Sequence, residues 1–91
     1  MAFVQMVTVP SMTADEYDKV MELAYGGSLA DGEMFHVAGQ NEAGWWVIDG
    51  WDSREQCMAS SQKLMPALEE VGISLNEPPQ EFEIHNIMLR G

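Results

Sequence analysis

Two β-rich segments on either side of a short polar turn constrain the fold of this chain more than any other feature. Phe35–Ala38 comes first, and Trp45–Trp51 follows the turn Asn41–Gly44. Aromatic and β-branched residues flanking a turn with Asn and Gly predict a β-hairpin. Because strand side chains alternate, each arm presents one apolar face and one face with polar insertions.

Capping signals place a helix before and after the hairpin. Thr13 with Glu16, and Ser53 with Gln56, match the capping box that satisfies the free amides of a helix start. Glycines follow each apolar stripe and end the helices at Gly26-Gly27 and at Gly72. Pro66 lies inside the second stripe, so we expect a kink or a restart of that helix there.

The remaining β-rich segments complete a sheet. Phe3–Val9 predicts strand one, Met34–Gln40 strand two, Trp45–Trp51 strand three and Glu81–Leu89 strand four. The order βαββαβ is the split βαβ pattern of an α+β, ferredoxin-like fold. It predicts an antiparallel four-stranded sheet with strands one and three central and both helices on one face. The uncovered face predicts a homodimer of single domains spanning residues 1–91.

Composition excludes several classes of partner. The chain has 91 residues and a formal net charge of −11, so it repels nucleic acid and anionic membrane surfaces. No apolar run reaches transmembrane length, and the N-terminus lacks the basic and apolar segments of a signal peptide. With a single cysteine, Cys57, these features predict a cytoplasmic protein.

The hairpin brings a histidine opposite an acid. A two- or four-residue turn pairs Met34 with Trp51 and His36 with Asp49, whose Cβ atoms would lie about 4.5–5.5 Å apart. A three-residue loop would destroy this register. Beside tryptophans, a His–Asp pair can orient or deprotonate a phenolic or enolic substrate. The two side chains could equally satisfy each other in a structural role, and the tryptophans, Trp45 and Trp51 among them, could be core or dimer-interface residues.

Three other polar residues are weaker candidates for the site. The Tyr17 hydroxyl could point into a pocket beneath the helices or take part in ordinary packing. His85 and Asn86 lie on strand four, an edge strand, and would approach His36 only across a dimer interface.

Metal and cofactor signals are absent from the sequence. The two histidines lack clustered carboxylates or thiols, so we expect no metal site. Without a glycine-rich phosphate loop, dinucleotide fingerprint or nucleophile elbow, we expect no cofactor.

Four segments in chain order carry a resemblance to a known superfamily: Met34–Ala38, Val47–Ser53, Lys63–Leu68 and Ile84–Ile87. In these segments the chain resembles the dimeric α/β-barrel superfamily. Within that superfamily it resembles the small, single-domain relatives of the antibiotic biosynthesis monooxygenases found in actinobacteria. The resemblance implies two subunits packed sheet against sheet, with a pocket in each. Its members include cofactor-free oxygenases of polyketide phenols, cyclases, lactone isomerases, haem-degrading enzymes and proteins without known activity.

The resemblance implies a cofactor-independent, monooxygenase-like enzyme of secondary metabolism acting on a small aromatic or polyketide-type metabolite. His36 would be its base or hydrogen-bond partner, Asp49 would orient His36, and Trp45, Trp51 and Tyr17 would shape the pocket. The alternatives are a polyketide cyclase or isomerase, and a non-catalytic metabolite-binding or stress-response dimer. The Asn, Trp and His constellation of the haem-degrading members has no match here, since Asn41 falls in the turn.

Overall fold

The computed structural model describes residues 2–90 and confirms the element order βαββαβ. The four strands form one antiparallel sheet in the order β2-β3-β1-β4, so strands one and three are central, as predicted. This is the ferredoxin-like α+β fold that the sequence predicts. The elements are β1 (Phe3–Val9), α1 (Ala14–Tyr25), β2 (Glu33–Asn41), β3 (Gly44–Trp51), α2 (Arg54–Val71) and β4 (Gln80–Glu83).

Both helices begin and end where the sequence predicts. The Glu16 amide donates to Thr13 Oγ1 at 3.2 Å and the Thr13 amide to Glu16 Oε1 at 2.9 Å, a complete capping box. Gly26 and Gly72 follow α1 and α2 in the left-handed region, at φ 63° and 89°. The predicted restart at Pro66 is wrong, because α2 continues through it.

Core packing explains why α2 tolerates an internal proline. Ala67 and Leu68, immediately after Pro66, are buried against Val9 and Val20. This burial outweighs the one backbone hydrogen bond that a proline removes.

The fourth strand is shorter than the predicted Glu81–Leu89. Glu83 pairs with Phe3, the first residue of β1, so the ladder has no partner strand beyond this point. A strand segment without a neighbour leaves its backbone groups to water, and the chain after Glu83 is irregular and largely exposed. His85 and Asn86 therefore lie outside the sheet, which corrects their predicted place on strand four.

The two faces of the sheet differ in what covers them. One face packs beneath α1 and α2, where Val9, Met12 and Val20 are buried with residues of α2. The opposite face carries no helix among residues 2–90. Its side chains are mostly apolar, and Val37 and Phe82 are 48% and 51% exposed. No helix in the same part of the chain is both long and apolar enough to span a bilayer.

Candidate functional site

The hairpin turn sets the register that brings His36 and Asp49 together. β2 ends at Asn41 and β3 begins at Gly44, and Asn41 Oδ1 accepts a hydrogen bond from the Ala43 amide at 2.8 Å. Because two residues separate the paired Asn41 and Gly44, the strands pair in the predicted register, and His36 lies directly opposite Asp49.

A β-bulge changes the other end of the same pair of strands. Between Glu33 and Phe35 the register shifts, and Glu33 rather than Met34 faces Trp51. The predicted pairing of Met34 with Trp51 is therefore wrong. An extra residue in one strand reverses the alternation beyond it, so Glu33 joins His36 on the helix-covered face.

Three side chains surround the His36 imidazole. Glu33 Oε2 lies 3.1 Å from Nδ1, and Asp49 Oδ1 contacts the same nitrogen. On the other side of the ring, Nε2 forms a short hydrogen bond with the Tyr17 hydroxyl from α1. The side chains of Glu33 and Asp49 are only 5% and 12% exposed, so both carboxylates are largely removed from water.

Glu33 also fixes the loop that precedes it. Its Oε1 accepts a hydrogen bond from the Ala30 amide at 3.0 Å, and the neighbouring Gly32 carbonyl accepts one from the Asp52 amide at 2.8 Å. Sequence reasoning missed Glu33 because regular alternation puts it on the face away from His36. The only signal was an acid three residues before the histidine, next to a glycine.

The carboxylates control the protonation of His36. Hydrogen bonds with Asp49 and Glu33 raise the pKa of His36 to about 9, against the effect of burial. Burial raises the pKa of Asp49 to about 7, although the imidazole beside it favours the charged form. Burial also acts to raise the pKa of Glu33, but hydrogen bonds from its neighbours outweigh it and lower that pKa. Between about pH 7 and 9 the site is an imidazolium held by two carboxylates.

Tyr17 connects this cluster to the space above the sheet. Burial, with the nearby charge of Asp49, raises the pKa of Tyr17 to about 12, so the phenol stays protonated. Its ring packs against Trp45 with centroids 5.1 Å apart. Since a charged His36 donates from Nε2 to the Tyr17 oxygen, the Tyr17 hydrogen is available to another acceptor.

A cavity of about 400 Å³ lies between the helices and the sheet, on the face that carries His36. Tyr17, His36, Asp49 and Trp51 all line it, as four of the predicted site residues. Trp45 packs behind Tyr17 and is not part of the lining, while His85 and Asn86 lie elsewhere in the exposed C-terminal segment. The volume is in the range of small-molecule sites.

The cluster also has the composition of a metal site. Glu33, His36 and Asp49 each offer one ligand atom, and these atoms lie within 4.8 Å of one another. Carboxylate and imidazole ligands suit a divalent transition metal. The expectation that no carboxylates cluster at a histidine is therefore wrong for His36, because the bulge adds Glu33 to the predicted pair.

Comparisons with known proteins identify the fold. No family model and no curated protein matches the chain. A candidate antibiotic biosynthesis monooxygenase from Chloroflexus aurantiacus J-10-fl is 17% identical over 100% of both chains, with a TM-score of 0.71. A similar candidate from Deinococcus radiodurans is 14% identical over 100% of both chains, with a TM-score of 0.56.

A third solved structure includes a ligand. It is the monooxygenase from the gene ActVA-Orf6 of Streptomyces coelicolor in complex with nanaomycin D, 23% identical over 99% of this chain and 93% of that one, with a TM-score of 0.54. The chain has the fold of antibiotic biosynthesis monooxygenase-type proteins. At these identities the likeness extends to the fold and not to the chemistry of any one of them.

Proposed function

We propose that this protein is a cofactor-independent, monooxygenase-like enzyme that acts on an aromatic or polyketide-type metabolite. The observation that carries the proposal is the hydrogen-bonded network of Tyr17, His36, Glu33 and Asp49 opening on a cavity of about 400 Å³. Clustered groups with shifted pKa values in a cavity are typical of catalytic sites.

Asp49 is the proton acceptor in this proposal. Its side chain is 12% exposed, and Oδ1 contacts His36 Nδ1, which it shares with Glu33. A pKa of about 7 suits a general base at neutral pH. His36, whose pKa is about 9, then acts as the hydrogen-bond partner that the sequence analysis gave as the alternative to a base.

Tyr17 supplies the complementary donor. The imidazolium of His36 polarises the Tyr17 hydroxyl, which can donate to an oxygen of the substrate as negative charge develops there. A phenol or enol held between Tyr17 and Asp49 would lose its proton to Asp49, and Tyr17 would stabilise the resulting oxyanion. Glu33 keeps His36 in place throughout.

The oxidation itself needs no group beyond the substrate and dioxygen. The deprotonated substrate carbon forms a C–O bond with O₂ and gives a hydroperoxide, which loses water to leave a carbonyl. The balance is R₂CH₂ + O₂ → R₂C=O + H₂O, in which the substrate supplies all four electrons. The protein deprotonates, orients and desolvates the substrate.

The Streptomyces coelicolor monooxygenase, which shares the fold and is solved with nanaomycin D, supports a small metabolite as the occupant. A cyclase or isomerase would use the same proton acceptor and donor without consuming O₂. The alternative of a packed, non-catalytic module is disfavoured by the cavity beside His36.

A second subunit belongs to the proposal. The helix-free face presents apolar side chains to solvent in one chain, among them Val37 at 48% and Phe82 at 51% exposure. Packing this face against its copy would bury those side chains and close a barrel. The homodimer expected from the sequence therefore stays a proposal with a direct test.

Turnover of phenolic polyketides, followed by oxygen uptake and product mass, tests the function. We expect Asp49→Asn to lower kcat/KM about 10²–10⁴-fold and Tyr17→Phe about 10–10³-fold. Tyr25→Phe is the matched control, because Tyr25 lines the same cavity but bonds Ser60. Full turnover in Asp49→Asn and Tyr17→Phe would reject the assignment, and product formation without oxygen uptake would indicate a cyclase or isomerase.

A further inference from the structure

Glu33, His36 and Asp49 bring three potential ligand atoms together. Glu33 Oε2 and Asp49 Oδ1 both contact Nδ1 of His36, and the three atoms lie within 4.8 Å of one another. A transition-metal ion holds nitrogen and oxygen ligands at about 2.0–2.2 Å, so its ligand atoms are about 3–4 Å apart. An ion that takes the place of a proton on Nδ1 can therefore be ligated by all three residues.

The charges of the cluster favour a cation at this point. The side chains of Glu33 and Asp49, only 5% and 12% exposed, share one imidazole, and among the described residues no Lys or Arg lines the cavity around them. Buried charges in proteins are paired with an opposite charge or coordinate a metal. With an imidazolium the cluster keeps one net negative charge, whereas a divalent ion beside a neutral imidazole brings the sum to zero.

Neighbouring groups hold two of the ligands in position. The Ala30 amide donates to Glu33 Oε1, which leaves Oε2 for an ion, and His36 Nε2 bonds the Tyr17 hydroxyl. A metal-ligating histidine almost always donates its other ring N–H to a nearby acceptor, which fixes its tautomer and its orientation. His36 would ligate through Nδ1 and donate from Nε2 to the Tyr17 oxygen.

The cluster is open on one side and has a mixed donor set. All three ligands line the cavity of about 400 Å³, where a water molecule can complete the coordination of an ion. One imidazole with two carboxylates suits Mn²⁺, Fe²⁺, Co²⁺ and Zn²⁺, and Zn²⁺ binds more tightly than Mn²⁺ or Fe²⁺ at most such sites. Mg²⁺ demands an octahedron of oxygen ligands and gives up its water reluctantly, so it fits this set poorly.

We infer that Glu33, His36 and Asp49 form a binding site for a divalent first-row transition-metal ion, and that the bound ion blocks proton transfer to Asp49. A carboxylate that ligates a cation is a much weaker proton acceptor than a free one. Binding of the ion is independent of the proposed function, and only the block rests on it. The ion is an inhibitor of the cofactor-independent reaction and not its cofactor.

Calorimetric titration of the chelator-treated full chain with Zn²⁺ and with Mg²⁺ measures the binding. We expect one Zn²⁺ per chain, bound at least about 100-fold more tightly than Mg²⁺. Tyr17→Phe should weaken Zn²⁺ binding about tenfold, as expected for a group that orients a ligand. Glu33→Gln and Asp49→Asn each remove a ligand and should weaken it about 100-fold or more.

Two control variants match these substitutions. Glu77→Gln removes a carboxylate that lines the same cavity but does not belong to the cluster. His85→Ala removes the second histidine of the chain, which lies in the exposed C-terminal segment. Both should leave the Zn²⁺ affinity unchanged. A chain that does not bind Zn²⁺, or equal losses of affinity in Glu33→Gln and Glu77→Gln, would overturn the inference.

NMR of the wild-type protein tests the site without any variant. Zn²⁺ should shift the His36 Nδ1 resonance strongly and leave the His85 ring resonances in place, and the reverse pattern would overturn the inference.

The turnover assay separates this inference from the proposed function. Saturating Zn²⁺ should abolish oxygen uptake, and a chelator should restore it. Zn²⁺ bound at His36 with turnover unchanged would refute both the block and the role of Asp49 as proton acceptor, and would leave the metal site standing. Turnover by a chain that does not bind Zn²⁺ would overturn the metal site and leave the proposed function standing.

Discussion

His36 is defined by what contacts its two nitrogens. Glu33 and Asp49 meet at Nδ1, and Tyr17 holds Nε2 from the other side of the ring. Two buried carboxylates make the imidazolium the stable form until about pH 9. The unusual groups at this site are therefore a histidine that stays charged and an aspartate that is half-charged near neutrality.

These shifts predict how stability depends on pH. The pKa of His36 is raised from 6.5 to about 9, so its stabilisation is complete below pH 6.5 and is lost as pH rises through 9. The pKa of Asp49 is raised from 3.8 to about 7, so its ionisation also lowers stability as pH rises through that range. We expect Tm to fall between pH 7 and 10 by several degrees.

Thermal unfolding of wild type and Glu33→Gln measures this dependence. The substitution removes one carboxylate from His36, lowers the pKa of His36 towards 6.5, and should move the loss of stability to lower pH. Glu42→Gln, on the exposed hairpin turn, is the control and should leave the profile in place. Parallel profiles for wild type and Glu33→Gln would contradict the assigned ion pairs.

At the scale of elements, the hairpin and its bulge assemble the site. The two-residue turn after Asn41 sets the register of β2 against β3 and brings His36 opposite Asp49. The bulge after Glu33 then turns a third side chain to the same face. Both depend on how β2 pairs with β3, so the turn that fixes the pairing determines the geometry of the site.

A substitution of Gly44, the first residue of β3, tests how closely the hairpin turn packs against Pro10. The φ of Gly44 is +119°, and an added Cβ would lie 2.5 Å from the Pro10 Cα. We expect Gly44→Ala to cost about 3 kcal/mol or more, because backbone strain and a backbone clash add. Gly26→Ala is the control at positive φ with open space around it, and should cost about 1 kcal/mol. Equal losses in chemical denaturation would contradict the clash.

The sequence predicts those features of the site that follow from local rules. The capping box at Thr13 and the even register that pairs His36 with Asp49 both come from short-range patterns, and both are confirmed. Glu33 was missed because a bulge breaks the alternation on which strand reasoning depends. The length of β4 was overestimated because a β-rich pattern does not show where the neighbouring strand begins, which here is Phe3.

At the scale of the molecule, one face of the sheet carries the candidate site and the other is the proposed dimer interface. The helix-covered face contains the cavity, so a partner on the opposite face would leave the His36 cluster within each subunit. The helix-free face is apolar from β2 to β4, with Val37 and Phe82 about half exposed. Burial of this face would add the core that a chain of 91 residues can provide only in part.

Light scattering and sedimentation test the dimer through a charge on that face. Val37→Glu places two carboxylates in a symmetric interface and should weaken association about 100-fold or more, since a buried unpaired charge costs several kcal/mol. Met58→Glu, at a position 64% exposed on α2, is the matched control and should leave association unchanged. A monomeric wild-type protein, or equal effects of the two substitutions, would contradict the proposed interface.

The central claim is that a charged histidine, held between two carboxylates and a tyrosine, forms the chemical centre of a ligand cavity. NMR titration of the His36 ring nitrogens, without ligand and with a phenolic polyketide, tests it most directly. The account predicts that both nitrogens stay protonated until about pH 9 and that ligand shifts their resonances. A His36 that titrates at 6.5 and does not respond to ligand would contradict it.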